Sequence, residues 1–416
     1  MNRLTRLLGL GALSVAFFVP AIAASAEEIT WWAPNWGEDR ARELVKQFEA
    51  KNPDITVKIE VTVSNGLQNR IQVALRSGST PDLIDSSIQW VVPFAGTGKL
   101  FPLDKYVADS KLDMNDLIPA TVAALRYNDK LYGLPYRAQT LGLIYNKALY
   151  KDAGLDPENP PQTWDEFNAA TKKLTKINAA GQQQYGIGVA GGGEVNNLNT
   201  RLIPFMWMNG GDVLSADGKS SIINEPAAVA AVKFYTDPLV TDGTAPPSTL
   251  QNDGVALRRL FDAGTVAQYF SGQYDLPAIK KEAPNLDIGV APFPHPAGKQ
   301  TSGILSGWAF VIPSASKHID ATLKFVSFLM TPESQGFYTD TFPASKKAMQ
   351  LPRFADPLLQ PFKKMLDFVR PVPSTPAWIQ AQQIIFDNTQ SVMLKAATPQ
   401  QAMDKAKQQI QDALDR

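Results

Sequence analysis

The chain has 416 residues, 44% of them hydrophobic and 19% charged, with Lys+Arg 40 against Asp+Glu 40. That is ordinary globular composition, without the basic excess of a nucleic-acid-binding protein, so no nucleic-acid partner is expected. Cysteine is absent and the only histidines are His295 and His318, which excludes disulfides, thiolate catalysis and cysteine-ligated metals.

The first predicted element is an export leader. Arg3 and Arg6 precede an almost wholly apolar run from Leu7 to Ile22, and Ala24-Ser25-Ala26 supplies a small-x-small cleavage site. The run is shorter than the roughly 20 residues that a membrane span needs. The expectation is a signal peptide over 1–26 and a soluble periplasmic chain beginning at Glu27. Nucleotide cofactors are scarce there, and none is expected. The remainder still exceeds the roughly 250–300 residues at which one core stops growing, so two lobes are expected.

From Glu27 the pattern reads as βαβαβ. Ile29 to Trp32 is a short strand. Ala41, Leu44, Val45 and Phe48 then share one helical face, ended by Asn52-Pro53-Asp54. Ile55, Val57, Ile59 and Val61 alternate as a strand. Leu67, Ile71, Ala74 and Leu75 mark a helix that stops at Ser77-Gly78, and Leu83 to Asp85 is a third strand. Strands alternating with helices predict a parallel or mixed sheet with helices on its faces. Further on, Leu143 to Asn146 and Tyr185 to Val189 read as strands. Thr163 and Glu166 form a capping box. Val213 to Ser221 reads as a hairpin with a primed turn at Asp217-Gly218. Helices begin at Pro226, Pro332 and Pro399, each at the favoured first position.

Gly186-x-Gly188-x-x-Gly191 matches a dinucleotide fingerprint with Asp212 beyond it, but Gly192 and Gly193 lengthen the loop and Glu194 would face a pyrophosphate. Close backbone approach is the alternative reading. A serine hydrolase would need His295 or His318 as base, and no Gly-x-Ser-x-Gly elbow occurs. No carboxylate pair stands out as a glycosidase site. The aromatics say more. Trp31, Trp32 and Trp36 lie at the end of the first strand, Trp90 follows the third, and Trp308 and Trp378 come later. Ligands of open α/β sheets bind beyond the carboxyl ends of strands, where aromatic faces suit the C–H patches of a sugar ring. Each tryptophan can equally be core.

Several segments in order carry a resemblance. They are Phe48-Glu-Ala-Lys-Asn-Pro-Asp-Ile, Ser77-Gly-Ser-Thr-Pro-Asp-Leu, Tyr132-Gly-Leu-Pro-Tyr, Gly142-Leu-Ile-Tyr-Asn-Lys, Pro161-Gln-Thr-Trp-Asp-Glu-Phe, Asn209-Gly-Gly-Asp and Gly307-Trp-Ala-Phe-Val-Ile-Pro. A last segment runs from Ala321 to Thr331-Pro332-Glu333. The chain resembles extracellular solute-binding proteins of carbohydrate ABC importers, the maltose-binding-like class, over nearly all its mature length.

The resemblance implies an α/β, two-lobed periplasmic-binding-protein type II fold with three interlobe crossings, near Leu134–Tyr136, Ile288–Pro292 and Leu329–Pro332. Lobe one would be 27–135 and 291–329, and lobe two 136–290 and 330–416. It also implies a monomer that closes on a small carbohydrate and delivers it to a membrane permease, with no catalytic step and no bound metal. The contacts carried over are Asn35, Trp36, Ser86, Ser87, Gln89, Trp90, Arg137, Gln139, Asn196, Asn197, Tyr269, Tyr274, Trp308 and Trp378. Amides stand at 35, 89 and 139, where acids often face neutral sugars in the family. Arg137 would therefore either bind an acidic ligand or bridge the lobes by an ion pair. A secreted carbohydrate-active enzyme and a binder of non-sugar solutes such as phosphodiesters or polyamines are the competing readings.

Overall fold

The computed structural model describes residues 26–416 apart from 64, 65 and 111, so the expected leader lies outside the described residues except for Ala26. Nine strands build the two main sheets: β1 (Glu27–Pro34), β2 (Ile55–Thr62), β3 (Leu83–Ser87), β4 (Leu134–Gln139), β5 (Leu141–Asn146), β6 (Gln268–Gly272), β7 (Ile288–Ala291), β8 (Ser306–Val311) and β9 (Phe342–Pro343). The first sheet has the order β9-β4-β8-β3-β1-β2. Its β2-β1-β3 portion is parallel, as the βαβαβ pattern requires, whereas β8, β4 and β9 add antiparallel pairs. The second sheet, β6-β5-β7, is antiparallel throughout.

The apolar positions read from periodicity lie where expected. Helix Glu38–Glu49 buries Ala41, Leu44, Val45 and Phe48, and helix Leu67–Ser77 buries Leu67, Ile71, Ala74 and Leu75. The latter ends on Gly78 in the left-handed region, φ 76°. The Thr163–Glu166 capping box is present, and Thr398 forms another with Gln401. One core runs from Ile29 to Tyr136 and again from Trp308 to Ala344. A second gathers Leu141 to Ile304 with Met365 to Ile410.

This partition moves the crossings. β4 pairs with β8 and β9 up to Gln139, so the chain leaves the first sheet at Thr140 rather than near Leu134–Tyr136. It returns at Leu305, because β7 still pairs with β5 and Ile304 still packs in the second core, well beyond Ile288–Pro292. The third change follows Ala344, not Leu329–Pro332, since Tyr338 and Ala344 belong to the first core and β9 extends its sheet. Each displacement has one cause. A strand takes its place in a sheet from its hydrogen-bonded neighbours, which periodicity does not reveal.

Two local readings also change. Tyr185 to Val189 makes only isolated bridges to Val266 and Tyr269. The hairpin at 213–221 exists, but Gly218 (φ 70°) is left-handed and Asp217 before it is not, so its turn is neither primed type, since both need positive φ at the first central residue.

Candidate functional site

β3 runs straight into the helix Ile88–Gly96, which delivers Ser87, Gln89 and Trp90 to the carboxyl end of the first sheet. Trp308 on β8 lies opposite Ser87 on one side and Arg137 on the other. The register of β8 against β4 shifts between Trp308 and Ala309. Such a bulge re-aims side chains. Gly307 makes the shift possible: its φ is +153°, and a Cβ there would sit 2.0 Å from the Arg137 carbonyl oxygen.

A cavity of about 180 Å³ opens between the lobes at this point. The first lobe lines it with Ser87, Gln89, Trp90, Gln139, Ser306 and Trp308; the second with Asn196, Asn197, Thr200, Arg201, Glu194 and Tyr274. Eight of the fourteen expected contacts thus meet around one space. The tryptophans form a row. Trp90 stands edge-on to Trp308 at 6.1 Å between centroids, and Trp308 edge-on to Trp36 at 6.0 Å. The indole N–H of Trp90 and Oε1 of Gln139 are buried without a protein hydrogen-bond partner. Buried polar atoms are nearly always satisfied, so orphans at a cavity mark where a polar ligand would bond.

The other six expected contacts sit elsewhere. Asn35 is exposed and lines neither this cavity nor its neighbours. Trp36 lines a neighbouring cavity of about 760 Å³, which Gln273 and Tyr274 of the second lobe also line, with Tyr338 beside it and the Arg137 guanidinium 4.1 Å from its ring. Ser86 is fully buried and donates to the Ser87 carbonyl. Tyr269 points into the core, its hydroxyl donating to Asp275 at 2.8 Å. Trp378 is fully buried in the second core. Arg137 settles neither way: it pairs with Asp340 at 2.8 Å and donates to Thr341 at 2.9 Å, and both partners lead into β9 of its own sheet. It is neither a cavity residue nor an interlobe bridge, but it holds Trp36 in place.

The glycine run serves close packing. A Cβ on Gly186 would lie 2.0 Å from the Thr171 carbonyl oxygen, and those on Gly191 and Gly192 would meet the carbonyls of Thr249 and Leu250. That favours close backbone approach over a phosphate cradle.

Three residues matter that sequence reasoning missed. Gln382, on the helix Trp378–Met393, donates to Asn196 Oδ1 at 2.8 Å within its own lobe and to Gln89 Oε1 at 3.1 Å across to the first lobe beside the cavity. Glu194 accepts the Gly66 N–H across the cleft at 3.0 Å. Arg201 lines the cavity on the helix Val195–Asn209, where it is the only charged residue, a signal the sequence did carry. If Gln382 holds the lobes together, Gln382→Ala removes the one hydrogen bond that crosses to Gln89, worth about 1 kcal/mol, along with a bond to Asn196 inside the second lobe. Small-angle scattering should then show a more open average shape; a profile identical to wild type would count against the tie.

Beneath the cavity floor, Asp85 is completely buried and accepts hydrogen bonds from Trp31 Nε1 (3.1 Å), Tyr136 (3.0 Å) and Tyr338 (2.7 Å). Burial pushes its carboxyl up to about 7, and the three donors and the nearby Arg137 charge only partly oppose this. The network binds β1, β3, β4 and the segment before β9 into one unit.

The model of the bacterial extracellular solute-binding protein family matches residues 35–336. A Brucella abortus binding protein, named without a ligand, is 29% identical over 372 residues, covering 88% of this chain and 87% of its own. A lactose-binding protein of Rhizobium radiobacter is 26% identical, covering 76% and 73% respectively. Among solved structures, an ABC transporter solute-binding protein of Thermotoga lettingae bound with alpha-D-tagatose superposes with a TM-score of 0.84 at 26% identity, covering 94% of this chain and 100% of that one.

Proposed function

We propose that this chain, which belongs to the family of bacterial extracellular solute-binding proteins, captures a sugar or sugar derivative between its lobes and delivers it to an ABC permease. One observation carries the sugar reading: between the lobes, the Trp90–Trp308 row faces amide and hydroxyl side chains contributed by both. Aromatic faces cover the C–H patches of a pyranose while Gln, Asn, Ser and Thr pair with its hydroxyls. The lactose-binding relative and the tagatose-bound neighbour support the same ligand class. The leader with Arg3, Arg6 and the Leu7–Ile22 run supports export to the periplasm. Capture needs no covalent step; ATP hydrolysis belongs to another subunit.

Thermal unfolding of residues 27–416 against mono- and disaccharides, polyols and sugar acids tests this. A ligand at about 1,000 times its dissociation constant adds roughly 4 kcal/mol. A selective upward shift is expected, and Trp308→Ala should abolish it. Turnover of an oligosaccharide on prolonged incubation would sink the reading in favour of an enzyme.

A further inference from the structure

Three arginines are buried among the described residues, Arg137, Arg201 and Arg258, at 4%, 2% and 7% exposure. Two of them are neutralised by the protein. Arg137 pairs with Asp340 at 2.8 Å, and Arg258 with Asp262 and Glu282, both at 2.7 Å. Arg201 has no carboxylate at ion-pair distance among the described residues. Its Nε donates to the Phe270 carbonyl at 2.7 Å and its Nη1 to the Asn197 carbonyl at 2.6 Å, while Nη2 is buried without a partner. Asp275 contributes to its field, but that carboxyl already accepts from Tyr269 and Ser271 at 2.8 and 2.7 Å. Glu194, the one acid on the cavity lining, accepts the Gly66 N–H at the rim of the cleft.

A buried charge left unpaired is costly, and proteins normally pair it or neutralise it. A guanidinium stays protonated at any ordinary pH, so only pairing is open to Arg201. It is also the buried arginine that lines the ligand cavity. The backbone carbonyls fix two sides of its fork and leave donors free, an arrangement suited to an oxyanion.

Resting on the reading of the cleft as a solute site, we propose that Arg201 selects a small polyhydroxylated ligand bearing one anionic group, a carboxylate or a phosphate monoester. The hydroxyls would meet the amides and the tryptophan row, and the anion would complete the charge balance at Arg201. The oxyanion role left open for position 137 thus falls to position 201, because the fold spends Arg137 on Asp340.

The test is calorimetric titration of ligand-free 27–416 with matched pairs: gluconate against glucitol, galacturonate against galactose, and glucose 6-phosphate against glucose. Within at least one pair the anion should bind on the order of tenfold to a hundredfold tighter. Which pair responds separates carboxylate from phosphate. Arg201→Gln should collapse that ratio and Arg201→Lys should retain part of it. The wild-type ratio decides by itself if either variant fails to fold. Binding of neutral members as tight as their anions overturns the inference and leaves sugar capture standing. Silence from both series overturns the inference and sugar capture together.

Discussion

Replacing Gly307 by alanine is expected to cost about 3 kcal/mol or more of stability and to abolish ligand binding. Two independent penalties meet at this residue. Its φ of +153° lies where side chains are strained, and the added Cβ would stand 2.0 Å from the Arg137 carbonyl oxygen and 3.0 Å from its carbon. Those are backbone atoms of the neighbouring strand, so β8 and β4 would have to separate. Trp308, the next residue, would leave its contacts with Trp36 and Trp90. Gly98→Ala is the control: its φ is +70° but a Cβ would meet nothing within 4 Å. It should lose only about 1 kcal/mol, the strain alone. Denaturant unfolding of both variants measures the difference. Equal losses would mean that close approach of β4 does not require glycine.

Removing the Asp85 carboxyl should have a comparable effect with a pH signature. In Asp85→Ala the Trp31, Tyr136 and Tyr338 donors lose their acceptor inside a dry core, at about 1–3 kcal/mol for each that finds no other partner. The sign of the pH term follows from the direction of the shift. A carboxyl raised to about 7 in the folded protein favours the protonated form there, relative to its ordinary unfolded value. Its contribution is therefore full below about pH 4 and disappears as pH rises through about 7. Between about pH 5 and about pH 8 the wild type should lose roughly 3 kcal/mol from this group, and Asp85→Ala should lack that slope. The penalty of the substitution is then larger at the acidic end. A difference between wild type and variant that is constant across this window would refute the assignment.

These two residues explain why the first lobe presents a rigid wall to the cleft. Asp85 binds β1, β3, β4 and the Tyr338 segment from below, and the Arg137–Trp36 stack supports Trp308 from behind. A lobe tied together in this way would keep its cavity-lining groups in register through the closure that the proposed function requires. The second lobe reaches across through Gln382, which donates to Gln89, and Glu194, which accepts the Gly66 N–H.

The sequence by itself determined the layered α/β architecture, because strand and helix periods are local and each buries one face. It also determined the capping box at Thr163 and the helix starts at Pro332 and Pro399. Through the ordered family segments it led to Ser87, Gln89, Trp90, Gln139, Asn196, Asn197, Tyr274 and Trp308, which line one cavity. What it could not convey was direction. Tyr269 and Tyr274 lie five residues apart, yet the strand turns one into the core, while the turn after Gly272 brings the other to the cavity. Trp308 and Trp378 are alike in chemistry and both are buried, but the strand with the bulge sets one against the cavity while a helix start seals the other in the second core. Arg137 has Asp340 folded against it, whereas Arg201 has no carboxylate at ion-pair distance among the described residues. Side-chain type is written in the sequence, whereas the partner that satisfies or leaves free a buried charge is set by segments hundreds of residues away, which only the tertiary structure brings together.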